Sequence, residues 1–100
     1  MVAEDIELTK QIFSLIESGI VHDYDAFRYE AEIFDGYMRE QLSVEKNGLE
    51  VTDAERDYNG AVLYRLLREL KGNAVKRGED WAMFVMSYRR GGEVKANFEY

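Results

Sequence analysis

Apolar side chains at Ile6, Leu8, Ile12, Phe13, Leu15, Ile16 and Ile20 recur at three- and four-residue spacings, with Glu7, Lys10, Gln11, Ser14 and Glu17 on the other side. This period predicts an amphipathic helix from about Glu4 to Ser18. Gly19 is placed to end it in the left-handed conformation, with Ile20 folding back on the last turn. From Asp25 the period falls to two: Phe27, Tyr29, Ala31 and Ile33 point one way, and Arg28, Glu30, Glu32 and Phe34 the other. Asp35-Gly36 then suits a type I′ turn, which pairs Phe34 with Tyr37. That register sets Ile33 opposite Met38, Tyr29 opposite Leu42 and Phe27 opposite Val44 on an apolar face, with Glu32 opposite Arg39 and Glu30 opposite Gln41 on a polar one. Glu40 alone intrudes on the apolar side, which places it near an edge or with its carboxylate bent to solvent.

Asn47-Gly48 offers a second hairpin turn, returning Leu49-Glu50-Val51 so that Val51 faces Val44 and Glu45 faces Glu50. Thr52-Asp53-Ala54-Glu55 has the spacing of a capping box, and a second helix is expected to follow. Its stripe is Ala54, Tyr58, Ala61, Val62, Leu66, Leu67, Leu70 and Ala74. Lys71, Lys76 and Arg77 lie towards the cation-favouring end, and Gly78 is the stop. Gly60 and Gly72 fall inside this pattern, each costing about 1 kcal/mol against alanine. The last segment alternates again, with Trp81, Met83 and Val85 on one side and Phe84, Met86 and Tyr88 on the other. A turn on Gly91-Gly92 would put Val94, Ala96, Phe98 and Tyr100 with Met83 and Val85, leaving Phe84, Met86 and Tyr88 on the face without helices. The expected fold is α+β: an antiparallel sheet made of a three-stranded meander and a carboxyl-terminal hairpin, with two helices packed on one face.

Length and composition narrow the class. A chain of 100 residues suits one domain over 1–100, and 46% hydrophobic residues supply enough apolar surface to offset chain entropy. The absence of cysteine excludes a disulfide framework and thiolate metal sites, as suits a cytoplasmic protein. The longest apolar run, Trp81 to Met86, is too short for a membrane span, and no signal-peptide pattern opens the chain. Net charge is −7 and uneven: residues 1–57 hold 15 acidic and 5 basic side chains, residues 58–100 hold 5 and 8. Such a field repels nucleic acid and anionic membrane and attracts a basic partner.

Catalytic chemistry finds little support. His22-Asp23-Tyr24-Asp25 is the one place where a histidine meets carboxylates, a weak ligand set in a segment whose residue types suit irregular backbone. None of Ser14, Ser18, Ser43 or Ser87 has a nucleophile-elbow setting, and Arg89-Arg90-Gly91-Gly92 joins strands where a phosphate loop would open a helix. Glu30 and Glu32 lie about 7 Å apart on one strand face. That spacing suits a solvated face better than an acid/base pair. No catalytic residue, metal or cofactor is assigned.

The carboxyl-terminal pattern of Lys76-Arg77-Gly78-Glu79-Asp80-Trp81, then Phe84, Tyr88, Gly91-Gly92, a strand through Val94, Ala96 and Phe98, and Tyr100 resembles the YezG-like immunity (antitoxin) family. The acidic meander agrees in order and length, so the resemblance covers about residues 9–100 and is strongest over the last thirty. It implies a small cytoplasmic protein that binds and neutralises a cognate toxin domain, often a nuclease, without touching nucleic acid or membrane itself. The residues expected to meet that basic partner are chosen from exposure: Asp23, Asp25, Glu30, Glu32 and Asp35 as electrostatic contacts, with Phe34, Tyr37 and Tyr88 as anchors. An acidic interaction module or homo-oligomer, such as a dimer paired through a sheet edge, is the alternative. A hydrolase using His22 is the third reading.

Overall fold

The computed structural model describes residues 3–100. Helix α1 spans Ala3–Ser18, strands β1, β2 and β3 span Ala26–Phe34, Tyr37–Lys46 and Leu49–Val51, helix α2 spans Gly60–Lys76, and strands β4 and β5 span Met83–Arg89 and Lys95–Glu99. The strands form one antiparallel sheet in the order β3-β2-β1-β4-β5, so β1 is central. The fold is therefore α+β.

In β1 every second residue is sealed: Phe27, Tyr29, Ala31 and Ile33 are buried, while Arg28, Glu30, Glu32 and Phe34 are not. Leu42 and Val44 of β2 and Phe84 and Met86 of β4 share that inner face with β1 and join one core with Leu8, Ile12 and Ile16 of α1 and Leu63, Leu66, Leu67 and Leu70 of α2. Phe13 of α1 lies 6.0 Å from Phe27 and 5.0 Å from Tyr88, ring centre to ring centre. Among the described residues, the other face of the sheet carries no helix. The sequence pairing of β1 with β2 and of β2 with β3 holds residue for residue, including Glu45 against Glu50. The Asp35-Gly36 turn is nonetheless not type I′, since only Gly36 has positive φ (84°). Asn47 and Gly48 both have it, as that turn requires.

Other expectations give way as well. The helix after β3 begins at Gly60 and not at the Thr52 capping box: Asn59 caps it, its side-chain oxygen accepting from the amides of Ala61 and Val62 at 3.0 and 3.2 Å. Residues 52–58 form a strap instead. The Ala54 amide donates to the Leu42 carbonyl (2.8 Å), the Asp57 amide to the Gly19 carbonyl (2.6 Å), and Ile20 bridges to Arg56. Gly19 does not take the left-handed conformation; it lets this strap approach, because a Cβ there would stand 2.7 Å from the Tyr58 ring and 2.9 Å from the Asp57 carbonyl. The stop at Gly78 is the expected one. Its amide and that of Glu79 bond back to the carbonyls of Val75 and Ala74 in a Schellman arrangement.

A further correction concerns the last hairpin. Its turn is longer than two residues: Arg90 to Val94 lie between the strands, with Gly91 at φ 84°. The register moves by one residue, to Phe84 opposite Phe98 and Met86 opposite Ala96, and a one-residue shift exchanges faces. Phe84, Met86 and Tyr88 thus look to the helices, with Ala96 and Phe98 beside them, and Met83 and Val85 look outward. Trp81 closes this end of the core, 5.4 Å from Phe98 and under the Lys71 ammonium at 4.9 Å.

Two polar clusters tie the layers together. Asp5 is 1% exposed, and its carboxylate accepts from Arg77 (2.8 Å) and Asn73 (3.4 Å), joining the start of α1 to the end of α2. Glu40 does lie where β2 is the edge of the ladder, since β3 pairs only with Val44, Glu45 and Lys46, but its carboxylate is not bent into solvent. Its carboxylate accepts from the Tyr29 hydroxyl at 2.5 Å and the Tyr58 hydroxyl at 3.3 Å and meets Arg56 at 3.3 Å. Burial first, and the neighbouring Glu40 carboxylate second, push both tyrosine hydroxyls well above their ordinary ionisation range.

Candidate partner-binding surface

Because β1 alternates strictly and its neighbours follow its register, the helix-free side of the sheet presents a continuous surface. Arg28, Glu30, Glu32 and Phe34 of β1 lie between Tyr37, Arg39, Gln41 and Ser43 of β2 and Met83, Val85 and Ser87 of β4. Val85 is 4% exposed yet lies outside the helix-facing core, between Glu30 of β1 and Asn97 of β5 in the ladder. A shallow depression of about 180 Å³ is centred here, walled by Glu30, Glu32, Arg39, Gln41 and Met83.

At the turn end, Phe34 and Tyr37 stack with ring centres 4.8 Å apart, and the Arg39 guanidinium lies 5.5 Å from the centre of the Phe34 ring. Tyr37 remains 54% exposed. The pair is an amphipathic aromatic platform already held in place, the type of side chain that anchors protein interfaces at low entropic cost. Tyr64 of α2 supports it from behind, donating its hydroxyl to the Phe34 carbonyl at 2.8 Å. Arg68 reaches round to Asp35 at 3.2 Å.

Five of the eight residues expected to meet a partner are thereby brought together: Glu30, Glu32, Phe34, Asp35 and Tyr37. Glu30 is paired with Arg28 at 2.7 Å, whereas Glu32 has no ion-pair partner among the described residues. Asp23 and Asp25 lie at the opposite end of β1, which a nine-residue strand places about 26 Å away. Their charge is already answered. Asp23 meets Lys46 at 2.9 Å and Arg90 at 3.4 Å, and Asp25 accepts from the Asn47 amide at 2.8 Å with Lys46 at 3.5 Å. The Lys46 hydrogen bond holds the Asp23 carboxyl below its ordinary range, and the Asn47 amide does the same for Asp25. Tyr88 faces the helices against Phe13 and is not part of this surface.

Arg39, Gln41 and Met83 complete the depression and were not singled out from sequence, though Arg39 and Gln41 follow from the register that was. The charge of the surface is mixed: Arg28 and Arg39 intersperse the glutamates, with Glu45 and Arg89 paired at 3.1 Å further along. The acidic excess of the first half is spread over α1 and the strap as well as the meander. His22 touches Glu55 at 3.1 Å, both exposed, and among the described residues no three His, Cys, Asp or Glu side chains converge as a metal set needs. No helix among the described residues is long and apolar enough to cross a membrane. Set against models of protein families and against curated proteins, the chain finds no match.

Proposed function

We propose that this chain is an immunity protein of the cytoplasm, which neutralises a cognate toxin domain by binding it through the helix-free face of the sheet. The observation that carries the reading is the uncovered face itself, with a stacked aromatic pair at one end and the unpaired Glu32 beside a shallow depression. A face of this kind offers a rigid anchor and polar groups free to pair, the two ingredients of a specific protein interface. Net charge of −7 steers a basic partner, such as a nuclease whose phosphate-binding surface is positive, and repels nucleic acid from the same place. The spacing of Gly78, Trp81, Gly91-Gly92 and Phe98 supports the same class by its similarity to YezG-like immunity proteins.

The test is co-expression with the protein encoded beside this chain. Rescue of growth, co-purification, and loss of both on Tyr37→Ala combined with Glu32→Lys support the reading. A chain that neither rescues nor co-purifies, or a complex indifferent to those substitutions and to salt, overturns it. The adaptor alternative uses the same surface but requires a partner with no toxic activity.

A further inference from the structure

Strand β5 forms one edge of the sheet, and edges with free backbone groups pair with other strands unless something blocks them. We propose that this edge pairs with the β5 edge of a second copy of the chain, antiparallel about a two-fold axis through Asn97. This inference is independent of any toxin.

The backbone groups available at the edge follow from the ladders. Phe34 and Tyr37 close the two-residue turn as a hydrogen-bonded pair, so the even residues of β1 bond β2 and its odd residues bond β4. The Arg90 amide donating to the Asp25 carbonyl at 2.9 Å continues that alternation. In β4 the odd residues then bond β5, which commits Lys95, Asn97 and Glu99 to β4 and leaves the N–H and C=O of Ala96 and Phe98 pointing away from the sheet. In a two-fold antiparallel pairing about Asn97, Ala96 of one copy stands opposite Phe98 of the other. Both have outward groups, so the hydrogen bonds close.

The side chains match the same register. On the helix-free side Lys95 meets the second copy's Glu99, Glu99 meets its Lys95, and the two Asn97 amides face each other. Both glutamate and lysine are exposed and without an ion-pair partner among the described residues. Shifting the pairing by two residues either way loses both charge pairs. On the helix side, the register continued by one residue at each end sets Val94 opposite the second copy's Tyr100. Tyr100 is 76% exposed and Val94 37%. Val94 also lines a largely apolar groove of about 420 Å³ with Ile6, Thr9, Lys10, Phe13 and Ser14, where the second copy's aromatic ring would lodge. An exposed aromatic and an apolar recess thus coincide in the one register that also pairs the charges.

An interface of one short strand pair and two lodged rings belongs to the small, concentration-dependent class. Sedimentation equilibrium of the isolated full chain over a wide concentration range is the experiment, with a monomer–dimer equilibrium expected. Lys95→Glu and Glu99→Lys should each weaken dimerisation by roughly tenfold, since two symmetry-related attractions become repulsions. The doubly reversed chain should recover wild-type affinity, and an equal mixture of the two single variants should dimerise. Ala96→Pro should abolish the dimer while leaving the melting curve in place, because the amide it removes faces away from β4. A chain monomeric at every concentration overturns the proposal. So does a dimer unmoved by the reversals and the proline.

Discussion

The two faces of this sheet are built from alternate residues of the same strands, yet they obey different rules. On the face under the helices, Phe27, Tyr29, Ala31 and Ile33 are all buried, and the lone carboxylate, Glu40, is held by two hydroxyls and a guanidinium. On the open face, Glu30 and Glu32 are partly accessible, the ion pairs are between exposed groups, and the aromatic pair packs on itself. A polar group buried on the inner face is costly unless it is hydrogen-bonded, and Glu40 meets that need with partners from this chain. Polar groups on the outer face have no such need, so they can be exchanged between solvent and another protein at little cost.

Neighbouring residues of β2 put the sharpest test on that contrast. Leu42→Ala, on the inner face at 0% exposure, should destabilise the chain by about 2–5 kcal/mol, whereas Gln41→Ala, one residue away on the outer face, should change stability by less than about 0.5 kcal/mol. Urea unfolding midpoints measured side by side decide it; comparable losses at the two positions would erase the distinction between the faces. Next in size is the clasp that holds the helices over the inner face. Arg77→Ala leaves the buried Asp5 carboxylate with Asn73 alone and should lower the unfolding midpoint, by less than Leu42→Ala does. Replacing Asp5 and Arg77 together by apolar residues should recover much of that loss, which a double-mutant cycle would read directly.

The inner face was legible in sequence wherever a short turn fixed the register. Asp35-Gly36 allows one pairing of β1 with β2, and that pairing is found across nine residue pairs with no slip. The last hairpin misled because β4 is apolar on both faces, so nothing in Met83 to Tyr88 said which side is buried, and two glycines resembled a two-residue turn. The true turn runs from Arg90 to Val94 and shifts the register by one residue, and Tyr88 was assigned to the wrong face with it. The capping box failed for a different reason: Asn59 caps as well as Thr52 does, and the Gly19 approach commits residues 52–58 to an extended strap that local spacing cannot reveal. Glu40 and Asp5 are satisfied by residues far along the chain, information that periodicity does not hold. On the candidate surface, Glu30, Glu32, Phe34 and Tyr37 were found because they belong to the well-registered hairpin. The neutralisation of Asp23 and Asp25 by Lys46 and Arg90 depends on two loops meeting in space.

A pH experiment sharpens the comparison further. Tyr29 and Tyr58 ionise in the unfolded chain near their ordinary value of 10.0, but in the folded chain only well above it, so their contribution to stability is complete below pH 10 and declines as pH rises beyond that. Tyr29→Phe should cost about 1–3 kcal/mol at neutral pH by removing the 2.5 Å hydrogen bond to Glu40, and should also flatten the alkaline decline. Tyr37→Phe, on the open face, should carry no such cost at neutral pH. Melting temperatures from pH 7 to 11 separate these outcomes, and an alkaline slope unchanged by Tyr29→Phe would mean that the buried cluster does not set it.

The smallest effect on stability is expected where the effect on binding is largest. Glu32→Lys changes the charge of a strand residue that has no ion-pair partner among the described residues, so folding should shift by no more than about 0.5 kcal/mol. If the open face is where a basic partner docks, the same substitution turns an attraction into a repulsion and should weaken the complex by roughly tenfold, chiefly by slowing association at low salt. Asp23→Lys is the matched control. It makes the same two-unit change of charge at the far end of the sheet, away from the depression, so any loss it causes reflects net charge alone. Association rates for the two variants, measured against ionic strength, then distinguish a docking surface from a general field. Equal losses would leave the field and remove the surface, while a selective loss at Glu32 would place the contact on the side of the sheet that the helices leave open.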